Sequence, residues 1–483
     1  MTAPLSVRGM VGRLLPAILL STLFNTASAE IAILYGHSYA LRNILELPSE
    51  QACPTTVDGL TSTPFPWTHD PTCIYGYCVY TNSQFANNRG ISIITTPEVA
   101  TNYTLESFSR EFQDDWNSPA QVLLYEPRDT PEKGGIGLFA KKRITAGDTI
   151  MLKHPVVILH RDLVAEDLTE ARIRLLEIAA RQLPRQGSEL LMGLSKSTGG
   201  VEVDDIFKTN AKGLRLEGNI PHLGVVPEAA RINHACRQNA YYRFNDFTLT
   251  LDVFAIRDIE PGEELSISFG FSSAPHSVRQ EALSSQWGFN CNCPLCSAPT
   301  ATRSASDARL SEIASIKKVL PSGHDSIPQL IALLPNLISL LDEEGLILEV
   351  PMYAEILAYC WSALGIEERA KKWGTRAMEG WSIVAGKTSW EAKRMSDFVG
   401  DVKGHGSFAT WDKDPWDDSV WEDDDHHDHD HDHDHDHDHD HDHDHDHDHD
   451  HDHDHDHDHD HDHDHDHDHD HDHAHGKDHA HHH

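Results

Sequence analysis

Four cysteines place the strongest constraint on how this chain of 483 residues can fold. Cys291, Cys293 and Cys296 lie within six residues, and Cys236 precedes them by about fifty residues. A disulfide within the close trio would be strained, because the Cα atoms lie too near one another. Four thiolates suit a closed tetrahedral zinc site. We therefore expect a structural Zn²⁺ that joins these two distant stretches.

Further motifs stand in order around the first cysteine. An Asn-His-Ala-Cys motif ends at Cys236, a Gly-Ile-Gly motif occupies residues 135–137, and a strand-like motif at residues 255–270 ends in Phe269-Gly. Over residues 119–298 these motifs resemble those of SET-domain protein-lysine methyltransferases. The resemblance is to a fungal-type SET protein without a MYND finger, because no metal-finger pattern of that branch is visible.

The resemblance implies an α+β fold of several small β-sheets around a knot-like core, closed by a post-SET zinc. It also implies the cofactor S-adenosyl-L-methionine. The residues it assigns to that cofactor are Gly135, Gly137, Asn210, Asn233, His234 and Phe289. The alternatives are a plain β-hairpin for the glycines, a helix-ending residue for Asn210 and a core histidine for His234.

The function that the resemblance implies is methylation of a protein lysine. In the family, the closing strand usually ends in a tyrosine whose hydroxyl lies beside the reacting methyl and amine, but here that position holds Phe269. Losing one preorganised hydrogen-bond donor costs orders of magnitude in rate. The alternative is therefore a catalytically weak or inactive SET-fold interaction protein.

The N-terminal region divides into two segments. Residues 1–29 have a positive flank, an apolar run of about eleven residues and a small-residue cleavage site. This pattern predicts a secretory signal too short to span a membrane. It would place the protein in the secretory pathway or outside the cell, whereas the family mostly acts in the nucleus or cytoplasm. Residues 30–118 contain three cysteines and predict a disulfide clip, a recognition module or a packing extension.

The rest of the chain divides into three parts. Residues 119–298 form the expected SET and post-SET domain, with a helical insert at about residues 161–215 and hairpin strands near residues 241–255. Residues 302–400 show helical periodicity and resemble a TPR-like unit, with a small helical bundle as the alternative. The expected disordered tail covers residues 401–483, including its His/Asp repeats.

The net charge of −39 comes mostly from that tail, which from Glu422 onward holds 27 Asp, one Glu and one Lys and so accounts for −27. The remainder carries −12 without a basic stripe, which argues against direct nucleic-acid binding and favours a protein or peptide partner with basic segments. Imidazole and carboxylate groups would bind divalent metals at the tail. A secreted metal-binding protein that acts through this tail is a third alternative.

Overall fold

The computed structural model of the chain describes residues 66–103, 108, 124–133, 135–216 and 219–411. The expected signal at residues 1–29, Cys53 and the His/Asp repeats lie outside these ranges. None of the described helices combines the length and apolar character that a bilayer crossing requires.

The strands form one large sheet and three small ones. They are β1 Thr72–Ile74, β2 Tyr77–Asn82, β3 Ile91–Thr95, β4 Tyr125–Thr130, β5 Gly135–Ala140, β6 Thr149–Lys153, β7 Val157–His160, β8 Lys212–Leu216, β9 Ile220–Val225, β10 Asn233–His234, β11 Ala240–Asn245, β12 Thr250–Ala255 and β13 Ser266–Ile267. The six-stranded sheet has the order β1-β2-β3-β7-β9-β8, and the smaller sheets are β11-β12-β6, β4-β5 and β10-β13. The mixed architecture expected from the sequence is confirmed.

The helices lie in three groups. They are α1 Pro97–Thr101; α2 Thr169–Gln182, α3 Arg185–Met192 and α4 Glu202–Asn210; then α5 His276–Trp287, α6 Thr300–Val319, α7 Ile327–Glu343, α8 Val350–Ala363, α9 Glu367–Val384 and α10 Trp390–Gly400. Short 3₁₀ turns lie at Pro131–Lys133, Arg161–Val164, Glu166–Leu168, Ala229–Arg231 and His324–Ser326. The predicted helical character of residues 302–400 is confirmed.

Local patterns explain the clearest elements. In α7 the apolar residues Leu330, Leu334, Leu337 and Leu341 recur at intervals of three and four, and all four are buried. Strand β12 is buried at every position except Asp252, as expected for a strand packed on both faces. The predicted hairpin is confirmed, because β12 pairs antiparallel with β11.

The N-terminal segment contributes to the main sheet. Strand β3 pairs in parallel with β7, and β2 pairs antiparallel with β3. A disulfide joins Cys73 to Cys78 across the β1–β2 pair. The described part of residues 30–118 is thus a packing extension clipped by a disulfide, which unites two of the alternatives left open by the sequence.

Two boundaries differ from those expected. The helical insert ends at Asn210, and residues 212–216 form strand β8 instead. Residues 401–411, assigned to the tail from their sequence, pack against α8: the Ala409 backbone N–H donates to the Ser362 carbonyl at 2.9 Å. The His405 ring stacks on Tyr359 with centroids 5.3 Å apart. These backbone and ring contacts hold the segment where composition alone suggested no order.

Candidate functional site

The four cysteines predicted as metal ligands converge in the structure. Their sulfur atoms all lie within 4.8 Å of one another, and all four residues are buried. The Cys236 sulfur lies 3.5 Å from that of Cys296 and 3.9 Å from that of Cys291. Four ligands at the usual Zn–S distance stand about 3.8 Å apart on a tetrahedron. The donor set and its spacing therefore fit a zinc ion.

The four sulfurs share protons unequally, because hydrogen bonds among the cysteines raise the pKa of the Cys236 and Cys291 thiols and lower that of the other two. Hydrogen bonds from Cys236 and Cys291 lower the pKa of the Cys293 and Cys296 thiols, the latter to about 7. The buried side chain of Arg279, on α5, hydrogen-bonds to the sulfurs of Cys236 and Cys296. A guanidinium here offsets part of the negative charge that four thiolates bring to one ion.

The side chain of Gln280 fixes one ligand from both sides. Its Oε1 accepts from the Cys291 backbone N–H at 2.8 Å, and its Nε2 donates to the Cys291 carbonyl at 2.7 Å. Sequence reasoning missed Arg279 and Gln280. Their only signal was their place on the helix that leads into the cysteine trio, and a helical position does not reveal which side chains point at a metal.

His234 connects the cysteine cluster to the closing strand. Its Nδ1 accepts from the Phe269 backbone N–H at 3.0 Å, so in the neutral ring the proton lies on Nε2. That Nε2 faces the Cys236 sulfur at 3.4 Å. Burial lowers the pKa of His234 to about 4, which keeps the ring neutral. The side chain is thus a satisfied buried histidine, and only the backbone of the residue remains for contacts with a ligand.

Strand pairing brings this motif and the closing strand side by side. Strand β10 runs parallel to β13, with Asn233 opposite Ser266 and His234 opposite Ile267. The buried Asn239 side chain locks the pair. Its Oδ1 accepts from the Ser266 backbone N–H at 2.8 Å, and its Nδ2 donates to the Glu264 carbonyl at 2.8 Å.

The glycine motif meets Asn233 through a carboxylate. The Asn233 Nδ2 donates to Glu264 Oε1 at 2.8 Å, and Lys133 forms an ion pair with the other oxygen of Glu264. A Cβ at Gly137 would lie 2.6 Å from Glu264 Oε1, whereas a Cβ at Gly135 would meet nothing within 4 Å. Gly137 is therefore required by close packing, and Gly135 borders open space. Sequence reasoning did not assign a role to Glu264 or Lys133.

Aromatic rings form a wall next to the cluster. The Phe269 ring lies 5.4 Å from Trp287, 6.3 Å from Phe289 and 5.3 Å from His234, measured between centroids. All three of the larger rings are half-buried, so each keeps part of its surface accessible. Lys212 approaches from β8, with its Nζ 5.7 Å from the centroid of Phe269.

Asn210 lies at the end of α4, where its Nδ2 donates to the carbonyls of Ser195 and Ile206 at 2.8 and 2.7 Å. The backbone carbonyl of the preceding residue, Thr209, accepts a hydrogen bond from the Trp287 indole N–H at 3.2 Å. Asn210 therefore reaches the aromatic wall only through Thr209, and its amide protons already serve the helix end.

A cavity of about 280 Å³ lies between strands β8 and β11. Its lining includes Gly213, Leu214, Tyr241 and Tyr242. Both strands stand at the edge of their sheets, so each presents backbone groups on one side that no strand of its own sheet covers. A groove between two such edges has the shape and polarity to accept an extended peptide.

Comparison with known proteins bears on this arrangement. The SET domain family model matches residues 135–270. The histone-lysine N-methyltransferase set5 of Schizosaccharomyces pombe is 24% identical over 291 residues, which cover 60% of this chain and 87% of that protein. The histone-lysine N-methyltransferase SMYD3 of Homo sapiens is 31% identical over 170 residues, covering 33% of this chain and 39% of that protein.

A third relative matches a shorter stretch. The histone-lysine N-methyltransferase SET5 of Meyerozyma guilliermondii is 39% identical over 69 residues, which are 14% of each chain. The chain thus spans most of the Schizosaccharomyces pombe protein but less than half of the other two. The family resemblance inferred from the motifs is confirmed.

Proposed function

Because this chain is a SET-domain protein of the protein-lysine methyltransferase family, we propose that it transfers a methyl group from S-adenosyl-L-methionine to a protein lysine. One observation carries the proposal: the β10–β13 pairing sets Asn233, His234 and Phe269 against one another beside the four-cysteine cluster. That pairing brings the Asn233-His234 segment, which would contact the cofactor, next to Phe269, which would contact the acceptor lysine.

The residues at this wall fit the proposed cofactor. The half-buried Phe289 ring offers a face for the adenine, and its centroid lies 6.1 Å from that of the His234 ring. The open space beside Gly135 leaves room for the methionine end, near the Asn233 amide. When bound, S-adenosyl-L-methionine supplies an electrophilic methyl on a sulfonium.

The chain's own residues would prepare the acceptor. A lysine amine attacks only when it is neutral, and an apolar wall disfavours its charged form. Phe269 and Trp287 supply such a wall and exclude water. The groove between β8 and β11 would hold the flanking peptide as an added strand. Positioning of this kind accounts for much of the rate in a two-reactant transfer.

We further propose that the four cysteines hold a structural zinc that fixes the segment carrying Phe289. A closed set of four thiolates leaves no position for a reacting water, so the ion would act on stability. We also propose two finer features of the fold, which are a knot-like core and a TPR-like character of residues 302–400. The secretory signal and metal binding by the tail rest on sequence alone.

A weakly active or inactive SET-fold interaction protein is the second candidate, and Phe269 favours it. A phenyl ring preserves the wall but donates no hydrogen bond beside the reacting atoms. On this alternative the chain binds cofactor and peptide and turns over slowly.

The test is transfer of a tritiated methyl from S-adenosyl-L-methionine to core histones and to a lysine-rich protein panel by the purified full chain. We expect incorporation that disappears on Asn233→Ala, with calorimetry reporting cofactor binding in parallel. Cofactor binding without incorporation supports the second candidate. Absence of cofactor binding at a correctly folded chain contradicts both.

A further inference from the structure

Lys212 is a buried lysine that forms no ion pair with any carboxylate of the described residues. It opens strand β8 and is 8% exposed. Burial lowers the pKa of its amine. The contact that its ammonium makes in this part of the chain is with the face of the Phe269 ring.

The other buried cations of the described ranges are compensated. Arg172 pairs with Asp204 at 2.7 Å, and Arg279 faces the cysteine sulfurs. The half-buried Arg237 likewise forms an ion pair with the buried Glu344. An uncompensated buried ammonium is costly, because the interior solvates charge poorly. Lys212 therefore holds an unpaired amine at the Phe269 ring, where the proposed reaction would need the amine of the substrate lysine.

The surroundings of Lys212 define that position. The next residue, Gly213, lines the cavity between β8 and β11, and its backbone N–H donates to the hydroxyl of Tyr242, which also lines it. On its other side Lys212 covers Phe269, which continues into Trp287 and Phe289. Lys212 therefore stands where the peptide groove and the aromatic wall adjoin.

We infer that Lys212 is a built-in competitor of the substrate lysine: its ammonium covers the aromatic face that an incoming lysine needs. This inference rests on the proposed methyltransferase function and deepens it. An arriving ammonium would gain its contact with Phe269 only after Lys212 moves away, and two cations side by side in a water-poor site repel each other. Lys212 is then a specificity-determining residue that disfavours ordinary lysine acceptors.

The experiment compares two peptide arrays, one of lysine-centred decapeptides and one with norleucine in place of each central lysine. Norleucine keeps the alkyl chain and lacks the charge. The full chain, Lys212→Met and Lys212→Arg are each measured by fluorescence binding without cofactor. Met removes the charge at similar volume, and Arg retains it. Lys142→Met, at an exposed lysine of the same domain, is the matched control.

We expect Lys212→Met to bind its best lysine peptides about tenfold more tightly than their norleucine partners, a contrast in the range of a desolvated cation–π contact. The unaltered chain, Lys212→Arg and Lys142→Met should show less than about twofold preference. Circular dichroism and melting temperature verify that each variant is folded.

The inference is overturned if Lys212→Met prefers lysine no more than the unaltered chain does. It is also overturned if the unaltered chain already shows the full preference. The difference in affinity between lysine and norleucine peptides is measured without methyl transfer. Failure of the proposed activity would therefore be detected in a separate experiment. A chain that methylates lysine at the same rate with and without Lys212 would retain the proposed function and lose this inference.

Discussion

The cysteine cluster and the aromatic wall of Phe269, Trp287 and Phe289 lie side by side, yet they differ in how completely their polar groups find bonding partners. At the cluster, four sulfurs converge and Arg279, Gln280 and His234 bond to the ligands or their backbone. At the aromatic wall, Phe269 carries no hydroxyl, and no carboxylate of the described residues pairs with Lys212. The difference indicates that the cysteine cluster is a fully bonded structural unit, whereas the wall beside it leaves polar requirements unmet.

The largest expected effect is loss of a metal ligand. Cys293→Ser removes one of four thiolates, so we expect the metal to be lost and the residues 287–298 to unfold, at a cost of more than about 5 kcal/mol. Because we also propose metal binding by the His/Asp tail, the readout is the thiolate-to-cobalt absorption of the Co²⁺-loaded chain together with its melting temperature. Cys360→Ser is the control, since Cys360 lies in α8 away from the cluster. Full thiolate absorption in Cys293→Ser would contradict the assignment of Cys293 as a metal ligand.

The next effect is a pH dependence of stability that originates in Lys212. Burial lowers its pKa to about 8 in the folded chain, from 10.5. Between these values the unfolded state binds more protons, so the free energy of unfolding rises with pH. The contribution is roughly 3 kcal/mol, fully present above the unfolded value and lost as pH falls through the folded one.

Urea unfolding of the full chain and Lys212→Met from pH 7 to pH 11 measures this difference. We expect Met to stabilise the chain near pH 7 and the two curves to converge at high pH. The neighbouring groups do not titrate in that window, because burial lowers the pKa of His234 to about 4 and raises that of Tyr242 to about 12. Parallel curves would show that the amine is compensated after all.

The third effect concerns the rate of methyl transfer and the hydroxyl that Phe269 does not carry. Phe269→Tyr adds a hydrogen-bond donor at the wall, and we expect methyl transfer to rise about 100-fold. Cofactor affinity should stay within about threefold, because a donor that acts on the transition state leaves ground-state binding nearly unchanged. Trp287→Tyr replaces the neighbouring indole with a phenol, so it places a hydroxyl elsewhere in the wall and serves as the control. Equal rates for Phe269→Tyr and the unaltered chain would show that the absent hydroxyl does not limit methyl transfer.

The smallest effect separates two glycines of one motif. In Gly137→Ala the new Cβ meets Glu264 Oε1 at 2.6 Å and Asn233 Nδ2 at 2.9 Å, so we expect a loss of about 1–3 kcal/mol in unfolding free energy. Gly135→Ala has open space and should change stability by less than about 0.5 kcal/mol. Thermal unfolding of the pair is the measurement. Equal losses would contradict the packing argument.

Much of the fold followed from local patterns. The hairpin β11–β12 and helix α7 have periodicities that depend only on neighbouring residues, and both lie where they were predicted. The family was read from short motifs for the same reason. The role of Glu264 could not be read in this way, because its partners Asn233 and Lys133 are 31 and 131 residues away in sequence.

The sequence by itself determined the ligand chemistry: cysteines of this number and spacing favour one kind of metal site whatever surrounds them. Only the tertiary structure decided which charges lack partners. In the sequence Lys212 is an ordinary lysine of a strand. The fold places its ammonium at the ring of Phe269, which lies 57 residues later in the chain. Burial is a property of everything that packs around a group, so no local pattern encodes it.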